Sequence, residues 1–266
     1  MLGSPWFASV RAFLARLPAD RFPTLVELNG LAQGRKVTSG GEVPLRFVAA
    51  GGGAADARQQ YEVRIYRTGE VETRPDNWHD YFNALAWLAF PRTKATLNRL
   101  HCAEILRRPG AATRGTARDV LTLFDEGGII VACSDASLAE SLRGFRWQEL
   151  FWTRRADVAA RMRFFVFGHA ILERALEAHK GLTAKALIAA VDQGSLAQPE
   201  AQLVALLDAH AAAYFERPEA LASTHGLHPL PVLGIPGWTA ANEDPSYYRD
   251  ENVFRPGRAG SNTQAA

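Results

Sequence analysis

Along this chain the apolar positions recur mostly at three- and four-residue intervals, which predicts helices, while a few short stretches alternate or run apolar throughout. In "NWHDYFNALAWLAFPRTKATLNRLH", Asn77 to His101, two helices are expected on either side of Pro91, because proline cannot continue a helix but fits the first turn of the next. Further helices are expected in "FASVRAFLARL", in "SLAESLRG", in "RWQELFWTRR", in "EAQLVALLDAHAAAYF", and as one long element in "ADVAARMRFFVFGHAILERALEA". The segment "LTAKALIAAVD" fits helix or strand.

The segment "EVPLRFVAA" reads as a strand and "GGGAADARQ" as the loop that follows it. Residue types alternate on both sides of Thr68-Gly69 in "YEVRIYRTGEVETR", and two glycines separate apolar runs in "DVLTLFDEGGIIVAC", so both stretches predict β-hairpins. The C-terminal "HPLPVLGIPGWTAANEDPSYYRDENVFRPGR" is rich in proline, glycine and aromatics and predicts an ordered, irregular coil. The expectation is an α+β fold: a mainly helical body with a small antiparallel sheet built from two hairpins and an extra strand, and an irregular C-terminal coil. One globular domain is expected over residues 1–256 and a disordered tail over 257–266.

The polar positions inside these apolar helices are the candidate chemistry. In the first helix of the pair, Trp78, Phe82, Leu85 and Ala89 form an apolar stripe, whereas His79, Asp80 and Asn83 share another side with Trp87 and Phe90. In the second, Lys94, Asn98 and His101 are spaced by four and three residues and project together. His169 and Glu173 are four apart in the long element, and Gly168 beside them offers a close approach to a neighbour. Buried groups of these types need partners. Asp125 and Glu126 are paired carboxylates, read here as the tip of the second hairpin, with Asp125 kept only as a minor candidate.

Composition limits the classes of function. The chain of 266 residues is 47% hydrophobic and 22% charged, enough for a packed core. Its apolar runs fall short of the roughly 18 residues that a membrane span needs, and the N-terminus lacks the pattern of a secretory signal. A cytoplasmic location is therefore expected. Cys102 and Cys133 are too few for a disulfide framework and lack the paired spacing of a zinc site. Of 30 basic residues 26 are arginine, but the net charge is only +2, which gives little general affinity for nucleic acid. A local patch of Arg146, Arg154, Arg155, Arg161 and Arg163 among aromatics is the place such binding would use, and is read as a solvated face.

The stretches "YEVRIY", "TRPDNWHDYFNALAWLAFPRTKATLN", "LTLFDEGG", "FGHAILE", "LTAKAL" and "LPVLGIPGW" resemble a bacterial family defined as domain of unknown function 3025, from about Leu45 to Pro256. The resemblance implies kinship and a single domain, and brings no catalytic residue or cofactor with it.

The residues themselves point to a hydrolase-like enzyme whose pocket lies between the 77–101 helices and the 165–176 segment. His79 or His169 would act as base or metal ligand, Asp80 and Glu173 would orient or ligate, Asn83 and Asn98 would donate hydrogen bonds, and Lys94 would meet a negative charge. A divalent metal would draw on His79, His101, His169 and Glu173; the expected ligand is a small or phosphate-bearing molecule. The alternative is a non-catalytic binding protein in which the same groups form a structural polar network.

Overall fold

The structure, a computed structural model, describes residues 1–51, 57–107 and 115–257. A 3₁₀ turn leads into α1 (Arg11–Leu14) and α2 (Leu25–Arg35), the latter started by a reciprocal capping box between Thr24 and Glu27. Then come β1 (Arg46–Ala49), α3 (Ala57–Thr68), β2 (Glu70–Thr73), α4 (Trp78–Ala89), α5 (Pro91–Arg107) and α6 (Thr116–Gly127). They are followed by β3 (Gly128–Cys133), α7 (Ala136–Arg143), a π-helical turn, α8 (Arg155–Arg161), β4 (Met162–Val166) and α9 (His169–Arg174). The last elements are β5 (Thr183–Ala190), α10 (Gln193–Leu196), α11 (Glu200–Phe215), α12 (Pro218–Ala222) and β6 (His228–Pro231).

The fold is α+β, but its sheets differ from the expected one. Strands β1 and β2 pair in parallel, with Arg46 opposite Glu70, and α3 is the connection that parallel strands require. The second sheet is mixed, in the order β4-β3-β5-β6, with β3 parallel to β5 and antiparallel to β4. Neither expected hairpin exists. "YEVRIYRT" is the body of α3, and the chain then turns at Gly69, which has φ 69° and where a Cβ would sit 2.2 Å from the Pro44 carbonyl oxygen. "DVLTLFDEG" is helical, and β3 starts at Gly128 directly after the last residue of α6.

The expected long helix is also broken, into α8, β4 and α9. Four of the five β4 residues are buried, and a buried strand presents the same unbroken apolar run as a buried helix. "LTAKALIAAVD" resolves as strand β5, and "HPLP" at the head of the expected coil joins the sheet as edge strand β6. The rest of the coil is a series of 3₁₀ turns pinned from inside. Asn242, fully buried, donates to the carbonyls of Leu233 (2.9 Å) and Ile235 (2.7 Å), and the Tyr248 hydroxyl donates to Gly234 O at 2.9 Å. The expected loop at 51–59 falls largely outside the described residues, as does the expected tail from 258 on.

Two features fix the helices that matter for the site. Phe90 at the end of α4, Phe124 in α6, Phe167 after β4 and Phe215 in α11 meet in one aromatic cluster, with ring centroids 4.7 to 5.2 Å apart. The start of α5 is capped from another helix. Asp208 of α11 accepts from the amides of Arg92 (3.0 Å) and Thr93 (2.8 Å), which have no partner within α5.

Candidate functional site

Helices α3, α4, α5, α6 and α9 surround a cavity of about 320 Å³. Tyr61 and Glu62 come from α3, His79, Asp80 and Asn83 from α4, His101 from α5, Arg118, Thr122, Asp125 and Glu126 from α6, and His169 from α9. Ala50, Glu72 and Arg74 form the rest of the wall. A small inner recess adds Trp87, Lys94 and Asn98.

Local sequence explains how these groups meet. The turn at Pro91 folds α5 back on α4, so that the Lys94 ammonium donates to Asn83 Oδ1 at 2.9 Å. Gly168 precedes α9 and lies against the α6–β3 junction, where a Cβ would be 2.4 Å from Glu126 O and 2.5 Å from Gly128 N. The amides of Phe167 and Gly168 both donate to Gly128 O, at 3.0 and 2.8 Å. This contact sets the first residue of α9, His169, beside Asp125 in the last turn of α6.

The polar groups form a connected series. Lys94 donates to Asp125 Oδ1 at 2.6 Å and packs 5.3 Å from the centre of the Trp87 ring. Asn83 Nδ2 donates to the Tyr61 hydroxyl at 3.1 Å. Asp125 Oδ2 lies 3.8 Å from His169 Nδ1. The Nε2 atoms of His169 and His79 face each other at 3.1 Å, and His79 Nδ1 is 3.0 Å from Glu173 Oε2.

The Glu173 carboxylate can only accept, so His79 carries a proton on Nδ1. While His79 is neutral its Nε2 accepts from His169 Nε2–H. His169 Nδ1 is then a buried lone pair, and it makes no hydrogen bond of normal geometry. The pair thus links Glu173 to the cavity wall.

Charge and burial tune the members apart. Burial alone would raise the Asp125 carboxyl, but the Lys94 ammonium and the nearby imidazoles more than offset it and hold Asp125 below the usual range. Glu62 goes the other way: burial raises its carboxyl to about 7, aided by the charge of Asp125 and opposed by Asn98, Lys94 and Arg118. Asn98 Nδ2 donates to Glu62 Oε2 at 2.7 Å and to Glu62 O at 2.9 Å. His169 is pushed down to about 3 by burial, with Lys94 and His79 adding to that and Asp125 opposing it. Tyr61 is moved far above its ordinary value, chiefly by burial.

Asp80 accepts two hydrogen bonds from the Arg74 guanidinium, at 2.8 and 2.9 Å, so it pairs at the rim and orients no histidine. Asn98 holds Glu62, and His101 lines both the cavity and its recess. Glu173 lies outside the wall and reaches the site through His79. Among the described residues no group of three or more His, Cys, Asp or Glu side chains could hold a metal ion, so His79, His101, His169 and Glu173 do not make the expected ligand set. Glu62, Tyr61, Arg118 and Thr122 went unread in the sequence. A signal for part of this was present: Arg118, Thr122 and Asp125 are spaced by four and three residues, one face of a helix.

The arginine-rich stretch is largely neutralised. Arg146 pairs with Glu149, Arg154 with Asp135 and Asp157, Arg155 with Glu243, and Arg161 with Asp135. No helix among the described residues is long and apolar enough to cross a membrane.

Fold and cavity together define an α+β protein with a polar recess set between helices at the edge of a mixed sheet. The chain belongs to the family described as "Protein of unknown function (DUF3025)", whose model matches residues 45–258. No curated protein and no solved structure matches it.

Proposed function

We propose that the protein is a hydrolase-like enzyme that performs acid–base chemistry on a small polar molecule held in this cavity. One observation carries the reading: a single cavity holds two carboxyls tuned in opposite directions, Asp125 kept ionised by Lys94 and Glu62 raised to about 7. A carboxyl that titrates near neutrality takes up and returns a proton at working pH, which is what activating a water molecule and then protonating a leaving group demands. Glu62 has that role, and Asn98 orients it. Lys94 and Arg118 offset negative charge that develops on the substrate, and Asn83 holds Lys94 in place. The His79–His169 pair exchanges protons with Glu173 on the outer side. The volume of about 320 Å³ is at the small end of ligand pockets.

A second reading, a binding protein with a structural polar network, is supported by the Tyr61–Asn83–Lys94–Asp125 series, in which each hydrogen bond is satisfied by another protein group. A panel of chromogenic esters, amides, phosphoesters and glycosides separates the two. The enzyme reading expects turnover of one class, a rate that rises through an ionisation near pH 7, and a loss of about 100-fold or more in Glu62→Gln. Turnover that survives Glu62→Gln refutes the assignment. A ligand that binds the cavity without turnover in any class supports the binder.

A further inference from the structure

The polar series of the cavity is satisfied at every link but its last. The Lys94 ammonium can only donate, so the Asn83 side chain turns its oxygen to it, at 2.9 Å. That orientation sends the amide nitrogen the other way, where Asn83 Nδ2 donates to the Tyr61 hydroxyl oxygen at 3.1 Å. Tyr61 therefore accepts from Asn83 and has its own hydrogen left to give. Among the described residues no group accepts that hydrogen, and Tyr61 lines both the cavity and its inner recess. Burial holds the phenol far above its ordinary range, so the hydrogen stays on the oxygen at working pH. The two bonds run in one sense, from the charged ammonium through the amide to the phenol. Each polarises the next, which strengthens the terminal donor.

The rest of the wall narrows what that donor meets. The cavity and recess hold the carboxyl groups of Glu62, Glu72, Asp80, Asp125 and Glu126 against the cations Lys94, Arg74 and Arg118. Lys94 is committed to Asp125 at 2.6 Å and Arg74 to Asp80 at 2.8 and 2.9 Å, while the charge of Arg118 acts on Glu62. A phosphate or carboxylate ligand would face this excess of carboxyl groups with no uncommitted cation among the described residues to meet it. A neutral group with an acceptor oxygen meets no such opposition, and a phenolic O–H is a donor suited to it. Tyr61 and Glu62 are consecutive in α3 and both line the cavity, so donor and acid–base carboxyl reach one bound group from the same helix.

We infer that Tyr61 is a catalytic residue that binds the oxygen of an uncharged carbonyl substrate, an ester or an amide, while Glu62 acts on the attacking water. The inference rests on the acid–base reading of the cavity and adds to it the substrate class and the donor. The Glu62 carboxylate takes a proton from water, the hydroxide oxygen bonds to the carbonyl carbon, and the C=O π pair moves to the oxygen that holds the Tyr61 hydrogen bond. When that pair re-forms the C=O bond, the bond to the leaving alcohol or amine breaks, and the leaving group takes the proton from Glu62. Water and substrate are the only reactants.

Kinetics of the full chain on neutral chromogenic esters and anilides, with p-nitrophenyl phosphate and p-nitrophenyl glycosides beside them, test it. Esters or anilides should be turned over, and the phosphate should not. Tyr61→Phe should lower kcat about 100-fold and change KM less than about threefold, because the donor matters most as charge grows on the oxygen. A ring-fluorinated tyrosine in place of Tyr61 makes the hydroxyl a stronger donor, so kcat should rise about twofold or more with the unfolding midpoint unchanged. That measurement decides the matter if Tyr61→Phe folds poorly. Turnover that depends on Glu62 but is confined to the phosphate or the glycosides would overturn the inference and leave the acid–base reading standing, as would ester or anilide turnover indifferent to both changes at Tyr61. Turnover that survives Glu62→Gln, or none in any class, would bring down both.

Discussion

Replacing Glu62 by Gln should remove a pH-dependent instability that the wild-type protein carries. Moving a carboxyl from its ordinary 4.5 to about 7 in the folded state corresponds to about 3 kcal/mol at ~1.4 kcal/mol per pH unit. Glu62 is half-buried, and solvent reaching it reduces this, so about 3 kcal/mol is an upper bound. Between pH 4.5 and 7 the unfolded chain ionises Glu62 while the folded protein keeps it protonated. The folded state therefore binds more protons, and stability falls as pH rises through that window. His169, lowered to about 3, works in the opposite sense, since the unfolded chain binds its proton first as pH falls below about 6.5. The two contributions overlap, so the wild-type curve alone does not separate them. The difference between Glu62→Gln and wild type does. In urea unfolding from pH 4 to 8, the two proteins should be nearly equal at pH 4, with Gln able to accept the Asn98 hydrogen bond as Glu does. Above pH 7 the variant should be more stable by about 1 to 3 kcal/mol. A difference that stays flat across the range would mean that Glu62 titrates normally and that the acid–base reading of the cavity is wrong.

Two further substitutions probe the geometry. Lys94→Met strands Asp125 beside the cavity without its cation and should cost about 3 to 5 kcal/mol in urea unfolding; adding Asp125→Asn should recover much of that, and a double variant no better than the single one would show that the pair does not act as a pair. Gly168→Ala puts a Cβ 2.4 Å from Glu126 O and should destabilise by about 1 to 3 kcal/mol. It should also separate His169 from His79, seen as a loss of the slowly exchanging imidazole proton shared by the two rings; an unchanged signal would place their alignment elsewhere than in the glycine contact.

How far the sequence foretold this arrangement depended on whether local pattern or distant pairing decided each segment. Helices α4, α5 and α11 were legible because their apolar residues recur at helical spacing over several turns, with Pro91 marking the break. In "YEVRIYRT" the pattern is weak, since Ile65 alone is fully buried, and what makes the segment helical is its duty to carry the chain between parallel strands. In "DVLTLFDEGG" the buried set is Val120, Leu121 and Phe124, a helical set obscured by the glycines after it. Those glycines suggested a turn. The role of Gly128 is close approach: it has Phe124 O where a Cβ would be, at 2.5 Å, and its carbonyl also receives the Gly168 amide.

The same error explains which site residues stayed hidden. His79, Asn83, Lys94 and Asn98 could be singled out because polar groups on otherwise apolar helices need partners, but Tyr61, Asp125 and Glu62, which meet Asn83, Lys94 and Asn98, came from the two segments assigned to hairpins. Glu62 on a strand would have faced away from Asn98, and Asp125 at a hairpin tip would have faced water. With α3 and α6 as helices, both carboxylates turn inward and receive the amide and the ammonium that α5 presents. Secondary structure therefore determines protonation here. Had α6 ended in a solvated loop, Asp125 would lose Lys94, and Glu62 would lose both the burial and the neighbouring negative charge that raise it. The chemistry of the cavity depends on a helix passing into a strand with no residue between them, which Gly128 and Gly168 together make sterically feasible.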